Sequence, residues 1–147
     1  MIPENVVPFT SQPLPSDVLW VGQPHMRFFV ASPDNVFPIH VQIYEVDTLG
    51  GKHFINRINF TARNWAKKSS RWIDIAGVAH AHLFHRGNRI RIEVRNVDRT
   101  NRPVVAESPF VLPLFRNARA TISIDARHPS FIELPLVSRA DVASQKK

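Results

Sequence analysis

Three histidines lie close together near the middle of the chain: His80, His82 and His85. If this stretch is a strand, His80 and His82 point to the same face, because side chains alternate along a strand. Two imidazoles on one face could provide a two-ligand arm for zinc or nickel. The chain has no cysteine, and no clustered carboxylate completes the shell. The alternative role is hydrogen bonding at a surface or interface, so the sequence assigns no metal to these histidines.

The three tryptophans form a second group of candidate residues. Trp20 and Trp72 lie inside apolar runs, and we expect them to pack in the core or against another domain. Trp65 lies in the polar segment 64–68, and we expect it to be the exposed aromatic residue of the chain. An exposed tryptophan could form a platform for sugar rings, so carbohydrate binding is an alternative to burial.

A row of charged residues alternates with apolar residues between positions 89 and 95. The charged residues are Arg89, Arg91, Glu93 and Arg95. Because this period of two is typical of a half-buried strand, the intervening Ile90, Ile92 and Val94 should face the core. The arginines then lie on the outward face. There they would be solvated or would form salt bridges with another domain, since guanidinium groups suit fixed interfaces.

Motifs that carry catalysis are absent from the sequence. None of the five glycines is followed two positions later by serine, so there is no Gly-x-Ser-x-Gly nucleophile motif. The sequence also lacks metal-protease, phosphate-binding and dinucleotide-binding fingerprints. We therefore predict no catalytic residue, no cofactor site and no enzymatic activity of the chain by itself.

The composition is that of one folded domain with a basic charge. The chain has 147 residues, of which 44% are hydrophobic, so it can bury a real core. Its formal net charge is +7, from 19 Lys and Arg against 12 Asp and Glu. The basic residues are scattered rather than clustered. Scattered charge does not favour a nucleic-acid partner, which would usually present a basic run or a known module.

The sequence also bears on membrane association and compartment. No stretch is apolar and long enough to span a bilayer, so no membrane partner is predicted. Residues 1–10 lack the basic-then-apolar form of a secretory signal. The absence of cysteine is compatible with a reducing, cytoplasmic compartment but does not determine the compartment.

Short runs with a period of two predict an all-β two-sheet sandwich of about nine antiparallel strands. No segment has a sustained helical period. We expect an extended lead-in at 1–15, the sandwich at 16–137 and a polar tail at 138–147. The predicted strands span 17–22, 25–31, 38–46, 53–62, 72–78, 89–96, 110–115, 119–125 and 131–137.

Four stretches, in this order, resemble one protein family. They are FTSQPL (9–14) followed by DVLWVG (17–22), FFVAS (28–32) followed by 41–46 and Gly50-Gly51, FHRGNRIRI (84–92), and HPSFIELPL (128–136). Together they resemble the C-terminal non-catalytic domain of the X-Pro dipeptidyl-peptidase and cocaine-esterase-like serine hydrolases. Two features depart from that family: Asn88 stands where a histidine is usual, and the segment 97–113 lacks a longer Asn- and Gly-rich loop.

The resemblance implies a jelly-roll β-sandwich of the galactose-binding type. It further implies that the sandwich packs on an α/β-hydrolase catalytic domain, which precedes it and holds the catalytic triad. Such enzymes act on X-Pro peptides, acyl amino-acid esters or related acyl compounds, and the sandwich could also form a contact in a homo-oligomer. On this hypothesis, the isolated chain should expose an apolar patch where the catalytic domain packs. The alternative is a free-standing module that binds carbohydrate or another polar ligand.

Overall fold

The computed structural model describes residues 4–98 and 118–138, which contain eleven β-strands and no helix. This confirms the predicted all-β class. The predicted strand at 110–115 and the predicted tail beyond Ser138 lie outside the described residues. Within residues 4–98 and 118–138, no helix is long and apolar enough to cross a membrane. The strands are β1 (Val6–Thr10), β2 (Val18–Gly22), β3 (His25–Ser32), β4 (Phe37–Val46), β5 (Lys52–Ala62), β6 (Ser69–Ala76), β7 (His80–Phe84), β8 (Arg89–Arg95), β9 (Thr121–Ser123), β10 (Phe131–Glu133) and β11 (Leu136–Ser138).

The first layer is an antiparallel sheet in the order β1-β8-β4-β5. Its central strand β4 alternates as the sequence predicts, and Val41 and Ile43 are fully buried in the core. A β-bulge in β5 changes the register between Ile43 and Tyr44, so that Tyr44 lies opposite Phe54 and Ile43 opposite Asn56. The bulge makes Ile55 pack against the core. Phe54, the residue before it, lies against Tyr44 instead, with 5.8 Å between the ring centres.

Residues 6–10 of the predicted lead-in are part of this sheet. Strand β1 pairs with β8 from Val6, opposite Arg95, to Thr10, opposite Arg91. The prediction that residues 1–15 only lead into the sandwich is therefore wrong for 6–10. All five residues of β1 are exposed. The strand has no buried face, so its sequence lacks the alternation of apolar and polar residues that would have predicted it.

The second layer consists of two short sheets joined along a crease. One has the order β10-β3-β6, with β9 also paired to β3, and the other has the order β11-β2-β7. Two or three residues separate β2 from β3, β6 from β7, and β10 from β11. Across this crease, the N–H of Val21 donates to the carbonyl of Pro135 at 3.2 Å. The predicted strand at 131–137 is therefore two strands, divided at the proline.

The core fills the space between the two layers. Its side chains come from both layers, and each contributes about 1.5–3 kcal/mol by leaving water. Trp20, inside the apolar run of β2, is fully buried as predicted. The largest apolar members of the core are Trp20, Met26, Phe28, Val30, Phe37, Ile39, Val41, Ile43, Ile58, Trp65, Ile73, Phe84 and Ile90.

Candidate functional site

An apolar surface covers the outer face of the β11-β2-β7 sheet. Trp20 and Phe84 point into the core with no exposed area, so the residues that alternate with them point outward. In this sheet, Leu19 lies opposite both Leu83 and Val137. One pair further along, Val21 lies opposite Ala81. We call these five outward residues the outer apolar patch: Leu19, Val21, Ala81, Leu83 and Val137.

The outer apolar patch is open to solvent. Val21 is 53% exposed, Leu83 43% and Val137 36%. None of its five side chains carries a polar group that would favour contact with water. Contiguous exposed apolar surface on a folded domain marks a site of interaction, whereas single exposed apolar residues are common. The chain thus has a surface of the kind expected where another domain packs.

A cluster of rings covers the outer face of the other half of the layer. Phe29 of β3 stacks on His128 with 4.0 Å between ring centres, and it meets the edge of Trp72 at 5.3 Å. The guanidinium group of Arg27 lies 4.7 Å from the centre of the Trp72 ring. Asp74 binds the ring of His25 beside it. Because these rings already contact protein groups, Trp72 is a packed residue of the outer face.

The histidines near β7 meet a carboxylate that the sequence did not reveal. Glu45 of β4 is 5% exposed, and its Oε2 lies 2.8 Å from Nε2 of His82. Its Oε1 accepts the backbone N–H of His85 and the side-chain amide of Asn88, both at 2.8 Å. Burial opposes ionisation of Glu45, but these hydrogen bonds outweigh it and lower its pKa to about 2. Glu45 therefore ties β4 to the β7–β8 turn.

His80, the third histidine, lies apart from this carboxylate. Its ring packs against Trp20 with 5.6 Å between ring centres. Among the described residues, no group of three or more histidines and carboxylates is placed to hold a metal ion. The structure thus gives the histidines packing and hydrogen-bonding roles. Asn88, which departs from the resembled family, takes part in them by its bond to Glu45.

The arginine row is held within the domain. Glu93 has 1% of its side chain exposed, and it accepts hydrogen bonds from Arg91 at 2.7 Å, Arg95 at 2.6 Å and Lys52 at 3.0 Å. Burial works against the charge on Glu93, but the three cations outweigh it and lower its pKa to about 2. Arg89 donates to the carbonyl of Ser11 at 2.9 Å. The row lies on the outward face as predicted, with a buried carboxylate at its centre.

A second buried carboxylate lies on the same outer face. Oδ2 of Asp98 accepts a hydrogen bond from Arg57 at 2.8 Å and from Asn59 at 2.9 Å. Its Oδ1 accepts one from Gln42 at 2.7 Å. No sequence pattern marks this group, because its members come from three separate segments. The polar side chains bound to Asp98 and Glu93 cover the outer face of β4, which is why this strand is buried on both faces.

The prediction that Trp65 is exposed is wrong. Its side chain is 2% exposed, and its ring meets the edge of Phe37 at 5.1 Å. Its backbone N–H donates to the carbonyl of Asn35 at 2.9 Å, and its Nε1 donates to the carbonyl of Ser69 at 3.2 Å. These two bonds fold the polar loop back over the open edge of the core. Trp65 therefore closes the sandwich and offers no free ring to a sugar.

Comparisons with solved structures show where this fold occurs. An aminopeptidase from a marine sediment Thaumarchaeota archaeon matches with a TM-score of 0.69 and 21% identity, over 90% of this chain and 26% of its own. An alpha-amino acid ester hydrolase matches with a TM-score of 0.68 and 18% identity, over 90% and 25%. A CocE/NonD family hydrolase from Staphylococcus aureus matches with a TM-score of 0.70 and 11% identity, over 92% and 33%.

At these identities the likeness concerns the fold. Neither a protein-family model nor a curated protein sequence matches the chain. The chain spans between a quarter and a third of the length of these three hydrolases, with 25%, 26% and 33% of their residues matched. The resemblance found in the sequence is confirmed at this level: the chain has the fold of a domain that forms a minor part of such hydrolases.

Proposed function

We propose that this chain is a non-catalytic β-sandwich domain of a serine hydrolase, which packs on an α/β-hydrolase catalytic domain and supports it. The observation that carries this proposal is the outer apolar patch, an exposed apolar sheet face, whereas charged residues cover the outer face of β8. Support comes from the hydrolases that contain this fold as a minor part of a longer chain. In this role the sandwich supplies stability and shape, and the nucleophile lies in the other domain.

The size of the patch sets what the contact can contribute. Interfaces between domains of one chain bury about 600–1,500 Å², which is more than five side chains cover. Phe131, 41% exposed, adds apolar area on the outer face of the neighbouring sheet, where it lies opposite Arg27. At about 25 cal/mol per Å², each buried apolar area of about 100 Å² contributes about 2.5 kcal/mol, and the cost of fixing the two domains is subtracted from the total.

The first experiment identifies the polypeptide in its source cells. An antibody against this domain would be used after labelling a cell extract with a fluorophosphonate, which reacts with activated serine nucleophiles. We expect one band to carry both antibody and label, at a mass several times the 16.8 kDa of this chain. An antibody-reactive band at 16.8 kDa alone, with no labelled protein captured, would contradict the proposal.

The second experiment tests the surface within that hydrolase. A Val21→Lys/Leu83→Lys double variant places two charges on the outer apolar patch. We expect it to lose hydrolase activity at a lower temperature than the wild type, because the lysines must leave water for the domains to pack. Leu49→Lys is the matched control, since Leu49 is 96% exposed on the β4–β5 hairpin. Equal heat stability of all three proteins would rule out the outer apolar patch as the contact with the catalytic domain.

Carbohydrate binding, the alternative function, is less well supported. It depended on Trp65 as an exposed ring, and that ring is buried. Trp72, the other candidate on the outer face, is contacted by Arg27 and Phe29. A sugar would have to displace these neighbours before it could stack on the ring. The accessory role is therefore the function that the described surfaces support best.

A further inference from the structure

A groove runs along the edge of β6, on the side of the sandwich away from β3. Strand β6 lies at the end of its sheet, and β5 lies at the end of the first layer. Phe60 of β5 and residues of β6 line one hollow, so the two edges lie on the same side of the sandwich. This hollow between them has a volume of about 270 Å³, and we call it the β6 groove. Its lining residues are Phe60, Trp65, Arg71, Trp72, Ile73, Asp74 and Ile75.

Backbone groups of β6 point into this groove. The N–H of Phe29 donates to Oγ of Ser130 at 2.9 Å, on the side of β3 away from β6. Phe29 lies opposite Trp72. In an antiparallel pair, opposite residues alternate between exchanging hydrogen bonds and exchanging none, so Phe29 and Trp72 exchange none. The N–H and C=O of Trp72 therefore point outward, and so do those of Asp74, two residues along.

The side chains of the groove alternate in the way a strand alternates. Ile73 and Ile75 face the space between the layers, where Phe60 of β5 also lies, and they form an apolar floor. Trp72 and Asp74 form the outer lip. A small molecule has no repeated N–H and C=O groups to match those of Trp72 and Asp74, whereas an extended peptide has both at the required spacing.

One charge in the groove forms no ion pair with the part of the chain that the structure describes. Arg71 is exposed, and its guanidinium group lies 4.0 Å from the centre of the Trp65 ring. None of the ion pairs formed among residues 4–98 and 118–138 includes Arg71. Asp74, by contrast, already binds His25 and Arg27. The guanidinium group of Arg71 is therefore the charged group of the groove that can pair with a carboxylate of a ligand.

We propose that the β6 groove binds an extended peptide segment as an added antiparallel strand. The segment exchanges backbone hydrogen bonds with Trp72 and Asp74, and its apolar side chains lie over Ile73 and Ile75. A carboxylate of the segment pairs with Arg71. This mode of recognition takes affinity from main-chain bonds and specificity from alternate side chains. The groove is separate from the outer apolar patch, and the inference does not depend on attachment to a hydrolase.

The probe is a short peptide written to this register, acetyl-Val-Thr-Val-Thr-Glu-amide. Aligned antiparallel, its two valines lie opposite Ile75 and Ile73, and its glutamate lies opposite Arg71. The 147-residue chain, labelled with ¹⁵N, would be titrated with the peptide. We expect saturable shifts of the Trp72 and Asp74 amide signals and slower deuterium exchange at both amides. Shifts that are absent, or that do not saturate, would overturn the proposal.

Two controls separate strand addition from weaker contact. A peptide with proline in place of the threonine opposite Trp72 lacks one N–H donor, and we expect it to bind about tenfold more weakly. Arg71→Glu should weaken binding of the original peptide about fivefold. A peptide with lysine in place of its glutamate should bind this variant as tightly as the original peptide binds the wild type. Arg63→Glu, an exposed change in the preceding loop, is the matched control. Equal binding of the proline peptide, or indifference to the charge exchange, would refute the groove as a peptide site.

Discussion

Gly77 lies directly against Pro24, with its backbone N–H donating to the proline carbonyl at 2.7 Å. A Cβ at Gly77 would lie 2.8 Å from Cγ of Pro24 and 2.9 Å from Cγ1 of Ile58. This contact joins the β2–β3 connection to the β6–β7 connection and presses both onto the first layer. The junction between the two sheets of the second layer is therefore close-packed at this point.

Gly77→Ala should destabilise the domain by about 1–3 kcal/mol, since a methyl group inserted into packed surroundings forces its neighbours to move. Urea denaturation at neutral pH measures the free energy of unfolding. Val78→Ala is the control, because Val78 is the next residue and is 73% exposed. If Gly77→Ala is as stable as this control, the junction is looser than its distances indicate.

Acid should destabilise the domain through Glu93 and Glu45. The pKa of each carboxyl is lowered from 4.5 to about 2 in the folded protein, because burial is outweighed by the bound donors. Each ionised group therefore stabilises the fold fully above the unfolded pKa of 4.5. That stabilisation is lost as the pH falls through the folded pKa of about 2. The free energy of unfolding, measured in urea between about pH 6 and pH 2, should fall most steeply below about pH 4.

Glu93→Gln provides the specific test of this pH dependence. At neutral pH the variant should be less stable by about 3 kcal/mol, because three cations lose their buried counter-charge. The difference from the wild type should shrink as the wild-type carboxyl becomes protonated, and it should vanish near the bottom of the pH range. A difference that stays constant with pH would show that the charge of Glu93 is not the cause.

Glu45→Ala should destabilise the domain by about 2–4 kcal/mol, because the backbone N–H of His85 and the amide of Asn88 lose their acceptor. Thermal unfolding followed by circular dichroism measures the loss. Amide exchange should also become faster at His85, in the turn that Glu45 holds. Glu133→Ala, at an exposed carboxylate of β10, should leave both measurements unchanged. Equal behaviour of the two variants would remove Glu45 as the link between the layers.

Trp65→Ala should destabilise the domain by about 3–5 kcal/mol, the cost of emptying a buried aromatic site. Trp72→Ala should cost less, because Trp72 is only partly buried on the outer face. Urea denaturation of the two variants compares them directly. The opposite order would indicate that Trp65 is the exposed ring that its polar neighbours in the sequence suggested.

Sequence patterns located most strands because a period of two survives wherever one face is buried and the other is not. Strands β3, β4 and β8 were found in this way. Strand β7 was missed as a separate element, since its histidines alternate with alanine and leucine and conceal which face is buried. The bulge at Ile55 was not predicted either, because it depends on how β5 pairs with β4 rather than on the residues of β5 themselves.

The sequence by itself determined the all-β class, the absence of a nucleophile motif, and the outward position of the arginine row. Tertiary structure alone decided the burial of Trp65, the bond between Glu45 and the β7–β8 turn, and the outer apolar patch. Strand β2 shows the reason: Val18, Leu19, Trp20 and Val21 are all apolar, so alternation cannot say which face meets the core. Only pairing with β7 and β11, and packing on the first layer, turns Trp20 inward and leaves Leu19 and Val21 outside.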